Sequence, residues 1–286
     1  KIDGNTLNPI WVSRIHLSNI TPNNIKTIIE YNDIIETSDK NLVLAGKYAK
    51  NANSKESVLA TKLDFITGGL IWYYYYNFGQ TCNESANSLA ETTDGKLSLT
   101  GYVRKCTAPS LTGSNDAFYA ELKPTGAPVI GTYQRYFWPA NLDLWADKIT
   151  LYTASSGNDR LIISGYIDIP VTGTTAFNRQ ILIMNVKQTG GIISTHHIGD
   201  PKPDVANDLI VQPQSVSPDY VLHLTGQTDN YNSTAAVTNE AYYLQLKFNA
   251  NTGVTALTEF STFPVTTPPF NTYRGRTGIE IKNAGL

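Results

Sequence analysis

The residues best suited to chemistry lie in one short stretch, where Trp138, Asp143 and Trp145 follow each other closely. Aromatic faces beside a carboxylate suit a sugar ring, whose C–H face stacks while its hydroxyls find polar partners. Arg104 and Lys105 form a cationic pair suited to an anionic group, and Asp168 and Tyr231 stand in loops of the same kind. A second chemistry would use Asp143, Asp147, Asp168 and Asp204 as an acid/base pair for glycoside cleavage. Asp147, however, occupies a repeated slot otherwise filled by Asn32, Asn87 and Asn207, which reads as a backbone-bonding position. His196 and His197 are adjacent on an expected strand, so they point to opposite faces and do not share a metal ion easily. His16 and His223 fall on separate strands. Zinc-protease, nucleophile-elbow, phosphate-loop and calcium-loop patterns do not occur, and the expectation is of no catalytic residue, no metal and no cofactor.

These residues are carried by a repeat. The phrase Leu97-Ser98-Leu99-Thr100-Gly101-Tyr102 returns around Gly46, Gly165 and Gly226, at spacings of 55, 64 and 61 residues. A period of this size marks a supersecondary module repeated along the chain. Upstream of each glycine lies an Ala-Asn/Asp-x-Leu/Ile phrase at Ala86, Ala146 and Ala206, with Tyr31-Asn32-Asp33-Ile34 as a looser copy. We label this strand a; the glycine phrase is strand b, with the glycine expected at its end, where the chain leaves for a long loop. Strands c follow at 58–63, 117–122, 180–186 and 241–248, and strands d at 70–78, 128–137, 192–198 and 254–263. Glycine turns such as Lys123-Pro124-Thr125-Gly126 join c to d and supply the positive φ of a tight hairpin.

Four sequential antiparallel strands per repeat predict an all-β fold, a β-propeller of four-stranded antiparallel blades numbering five or more. Residues 1–286 form one domain or an excerpt of one. Residues 31–79, 86–137, 146–199 and 206–263 read as complete blades, 1–19 as the end of a blade and 277–286 as the start of another. In such blades the b–c and d–a connections share one face. The b–c loops are long (49–57, 103–116, 167–178 and 227–239), so a ligand site is expected on that face, near the axis.

Composition agrees. Charged residues are 16%, Tyr numbers 17 and Met occurs once, which suits half-buried strands and turns. The net charge of −2 comes without a basic stripe, which argues against a nucleic-acid partner. There is no apolar run long enough to span a membrane. If Thr93-Asp94-Gly95-Lys96 turns a hairpin, Cys82 and Cys106 fall nearly opposite each other at its open end, so a disulfide is expected, and with it an oxidising compartment. Tyr73 to Tyr76 alternate between the two faces of an outer strand.

Asp64-Phe65-Ile66-Thr67-Gly68-Gly69-Leu70-Ile71-Trp72 resembles the tryptophan-docking repeat of quinoprotein-type propellers, with Asp3, Thr6 and Trp11 as a looser copy. No cofactor-binding constellation accompanies it, so the resemblance implies the blade and not a bound quinone. The whole unit is similar to repeats of secreted and surface propeller proteins of bacteria, notably the Bacteroidota, which implies a large exported protein. The functional expectation is a non-catalytic binding or scaffolding module for a glycan or a protein partner, secreted or at the cell surface. The alternative is a carbohydrate-active enzyme, a glycoside hydrolase or lyase, with carboxylates near the propeller axis.

Overall fold

The structure, a computed structural model, describes residues 28–50, 54–78, 83–104, 115–137, 143–153, 159–171, 177–199, 204–214, 219–229, 239–264 and 280–283. Among these there is no helix. The first sheet contains β1 (Ile28–Glu36), β2 (Asn41–Ala49), β3 (Glu56–Asp64) and β4 (Leu70–Tyr76). The second contains β5 (Glu84–Glu91), β6 (Leu97–Arg104), β7 (Asn115–Leu122) and β8 (Gln134–Tyr136). The third is built from β9 (Leu144–Thr153), β10 (Asp159–Pro170), β11 (Phe177–Lys187) and β12 (Ile192–Gly199), and the fourth from β13 (Asp204–Pro213), β14 (Asp219–Asp229), β15 (Asn239–Asn249) and β16 (Gly253–Pro264). Within each sheet neighbours in sequence pair antiparallel, as the a–b–c–d reading requires. Residues 280–283, expected to open a further blade, instead form β17 (Glu280–Asn283) and pair with β12 at the outer edge of the third sheet. The expected fragment at 1–19 lies outside the described residues.

Three apolar cores join the four sheets face to face. Val43, Val58, Leu89, Leu99 and Phe118 fill the first gap; Tyr119, Leu144, Ile149, Ile163 and Met184 the second; Ile162, Ile183, Leu209, Leu224 and Phe248 the third. Among the described residues no such core joins the fourth sheet to the first, so the stack is propeller-like but open. The ends show it: Ile34 and Ile210, on the outward faces of the first and fourth sheets, are 54% and 61% exposed.

The repeated glycine has a different role from the one expected. Strand b does not end there: β2, β6, β10 and β14 continue to Ala49, Arg104, Pro170 and Asp229. Each glycine instead faces a bulge in strand a, at Asn32, Asn87, Asp147 and Asn207. The extra residue drives a strand-a carbonyl onto the facing strand. A Cβ at Gly46, Gly101, Gly165 or Gly226 would stand 1.9, 1.9, 1.9 or 1.8 Å from the carbonyl oxygen of Glu30, Ser85, Trp145 or Val205. No side chain fits such a gap, so glycine is required by close approach of backbone and not by a turn.

The bulge in turn aims its polar side chain at the next sheet. Asn32 Nδ2 donates to the Ala86 carbonyl at 2.8 Å, and Asn87 Nδ2 donates to the Ala146 carbonyl at 2.9 Å. One residue on, Asp33 accepts from Ser88 Oγ (2.6 Å) and from the Leu89 amide (3.1 Å), and Lys148 Nζ reaches both its carboxylate oxygens at 3.2 Å from the third sheet.

A second clasp repeats at the c–d turns. The Tyr76 hydroxyl donates to the Gly126 carbonyl (2.6 Å) and the Tyr136 hydroxyl to the Gly190 carbonyl (2.7 Å). In the third sheet His196 takes this position, and its Nε2 accepts the Val254 amide at 3.1 Å. His197 turns the other way, to Gln180. The docking-type turn also behaves as its residues imply: Asp64 Oδ1 accepts the amides of Ile66 (3.0 Å) and Thr67 (2.7 Å), while the Trp72 indole donates to the Pro124 carbonyl of the next sheet at 3.2 Å. Of the tyrosine run, Tyr74 covers the Gly126 turn and Tyr75 stacks on Tyr48 with centroids 5.3 Å apart.

Strand d of the second sheet is shorter than expected. Pro128 touches Leu122 only in an isolated bridge, and Gly131 at φ 84° turns the chain away before β8 begins. Proline offers no N–H to a ladder. Thr132 Oγ1 repairs part of the gap by accepting the Glu121 amide at 3.2 Å.

Candidate functional site

Strand ends of the second and third sheets bring several of the expected site residues together on the b–c and d–a face. Trp145, the second residue of β9, lies directly opposite Tyr166 of β10, and the bulge after Ala146 fixes that register. Trp145 stacks on Tyr166 with centroids 5.8 Å apart and on Tyr102 of the second sheet at 4.1 Å. Arg179, at the start of β11, lies 3.9 Å over the Tyr166 ring and pairs with Asp168 through two bonds of 2.8 and 3.1 Å. Asp143 closes the cluster: its carbonyl accepts the Asp168 amide at 3.0 Å, and its Oδ1 accepts the Asn115 amide at 2.6 Å.

The row continues into the first sheet. The Tyr102 hydroxyl donates to Glu56 Oε2 at 3.1 Å, and Lys47 bridges Glu56 (3.1 Å) and Glu30 (3.2 Å). Stacked rings and bidentate charge pairs of this kind fix side chains in one geometry, because each planar group leaves its neighbour few alternatives.

Electrostatics follow burial. Desolvation pushes the Tyr102 hydroxyl up to about 12 and the Tyr166 hydroxyl up as well. Desolvation also pushes the Asp147 carboxyl up to about 7, against the opposing pull of a hydrogen bond from the Trp145 side chain and of the Arg179 charge. The Asp168 bond holds Arg179 above its ordinary value.

Asp143, Trp145 and Asp168 thus share one cluster. Arg104 ends β6, where its amide donates to the Asn83 carbonyl at 2.9 Å. Trp138, Lys105, Tyr231, Cys82 and Cys106 lie outside the described residues. Trp145 is committed to two ring partners, so its contribution is to hold neighbouring sheets together and not to offer a free face to a ligand. Sequence reasoning missed Tyr102, Tyr166 and Arg179. The two tyrosines carried a signal, since each follows a repeated glycine; Arg179 carried none. Two further rings stand at strand ends of this face: Phe137, at the head of the candidate stretch that runs to Trp145, and Phe177, opposite Pro170 across the β10–β11 ladder, are 61% and 58% exposed. Among the described residues no group of three or more His, Cys, Asp or Glu is placed to hold a metal ion, and no helix is long and apolar enough to cross a membrane. Compared with known proteins, the chain matches no family model and no curated sequence.

Proposed function

We propose that this chain is a non-catalytic binding or scaffolding module of an exported or surface protein, and that it recognises a glycan or protein partner through the b–c and d–a face. One observation carries the reading: on that face the charged and aromatic groups of the frame are engaged with each other, while the rings of Phe137 and Phe177 are exposed. A frame whose polar and aromatic groups are already ordered favours binding, because little of their side-chain entropy is lost when a partner arrives. The enzyme alternative is less well supported. Asp168 is held by Arg179, Asp143 by Asn115, and Asp147 fills a bulge slot that two other sheets use for an inter-sheet bond.

The test is a glycan array probed with the intact chain and with F137A/F177A. Retained folding with at least tenfold weaker binding of the recognised glycans supports the reading. Binding unchanged in the variant refutes the assignment of this face; turnover of a bound glycan, lost in D168N with folding intact, would replace it with the enzyme reading. The exported setting rests on a Cys82–Cys106 bridge, which peptide mapping without reductant tests directly.

A further inference from the structure

At the opposite end of the third sheet, β10 begins with Asp159-Arg160 and β11 ends with Lys187. These residues and the turn Gln188-Thr189 line a cleft of about 370 Å³. Arg160 and Lys187 are direct partners across the ladder. Like charges so opposed repel each other, and among the described residues neither forms an ion pair. The same place in the other sheets is handled differently. In the fourth sheet Asp219 faces Asn249 and accepts its Nδ2 at 2.8 Å; in the first, Asn41 faces Asp64; in the second, Lys96 is paired with Asp94. The third sheet therefore carries a dibasic pair that no carboxylate among the described residues bridges.

The cleft floor is built and held. Asp159 is 8% exposed, and its Oδ2 accepts both the amide and the hydroxyl of Thr93 at 2.7 Å, which anchors the start of β10 to the second sheet. The Gln188 side chain is fixed to Asp94 at 3.0 Å, and the Gln188 carbonyl takes the Tyr119 hydroxyl. Two cations, the polar Gln188 and Thr189 beside them and a volume within the range of small-molecule sites favour an anionic, hydroxyl-bearing ligand. An oxyanion would lie against Arg160 and Lys187, and neighbouring hydroxyls would meet the polar Gln188 and Thr189 that line the same cleft. We propose that this cleft binds an acidic sugar, a uronate or a sulfated residue, independently of the b–c and d–a face.

The experiment is calorimetric titration of the intact chain with three probes: a galacturonate disaccharide, a galactose sulfate and inorganic sulfate. Saturable binding of either acidic sugar, tighter than that of inorganic sulfate and weakened about tenfold or more in R160Q/K187Q, is expected. The uronate and sulfate arms identify which acid is preferred. The double variant should fold at least as well as the parent, because it removes a repulsion, and a thermal melt checks this. Failure of both sugars to bind, equal binding of inorganic sulfate, or unchanged affinity in the folded double variant overturns the proposal. The F137A/F177A variant should bind the acidic sugar normally, which keeps this test separate from that of the loop face.

Discussion

Replacing Asp147 by Asn should stabilise the protein and remove much of its response to pH. Asp147 fills the bulge slot that holds Asn in the other three sheets. There, Asn32 and Asn87 donate an N–H to a carbonyl of the next sheet, which an ionised Asp cannot do. Burial raises its carboxyl from 3.8 to about 7. A carboxyl raised in the folded state keeps its proton when the unfolded chain has already released it. Stability therefore falls as pH rises from about 4 to 7, and the full cost remains above that window. At ~1.4 kcal/mol per pKa step, the shift corresponds to about 4 kcal/mol as a ceiling. Denaturant unfolding of parent and D147N at pH 5 and pH 8 reads it. D147N should gain most at pH 8 and less at pH 5. His196 contributes in the opposite sense: burial lowers its pKa, so its share of stability is lost as pH falls below about 6.5. That contribution is common to both proteins and cancels in the difference. A D147N advantage that does not grow with pH, or a variant weaker than the parent at pH 8, would refute the reasoning.

Three other outcomes follow from the same contacts. Removing Lys148 or Asp33, which join the first and third sheets, should destabilise in each single variant (K148M, D33N), with a double-mutant coupling of about 1 kcal/mol that shrinks as salt is added. Lys40 sits at φ 61° in the first a–b turn, where the second has Gly95 at φ 78°; K40G should raise the unfolding midpoint by an amount equivalent to about 1 kcal/mol. If Cys82 and Cys106 are bridged, peptide mapping will recover them as one linked pair, and reduction will cost roughly 3 kcal/mol in denaturant melts.

Much of the frame was legible in the sequence because it repeats. Glycine phrases, Ala-Asn phrases and turn residues located nearly every strand, and the Asn32 and Asn87 slots bond backbone between sheets as expected. The reason for the glycine was not legible. A bulge is a one-residue irregularity in pairing, and nothing in one strand's sequence says that its partner's carbonyl presses against it. The same bulge shifts pairing by one between Leu89–Leu99 and Glu84–Val103, which simple counting across the Thr93-Asp94-Gly95-Lys96 turn does not include. In the second sheet, apolar residues over 128–137 suggested a full strand d, but Pro128 and Gly131 overrode them. At the candidate site, Trp145 read as a ligand platform because residue type does not reveal that Tyr102 and Tyr166 already stack on it. The cleft of the third sheet was hidden for a related reason: Arg160 and Lys187 are far apart in sequence and become neighbours only through the β10–β11 register.

The central claim is that the four repeated glycines are architectural, each required by a carbonyl driven against it from the bulged strand. Thermal unfolding of G101A and G165A beside G191A tests it most directly. Gly191 is a fair control, since a Cβ there would meet nothing closer than Lys187 Cδ at 3.7 Å. The account predicts that G101A and G165A each lose more than about 3 kcal/mol or fail to fold, while G191A melts like the parent. Variants at Gly101 and Gly165 as stable as G191A would contradict it.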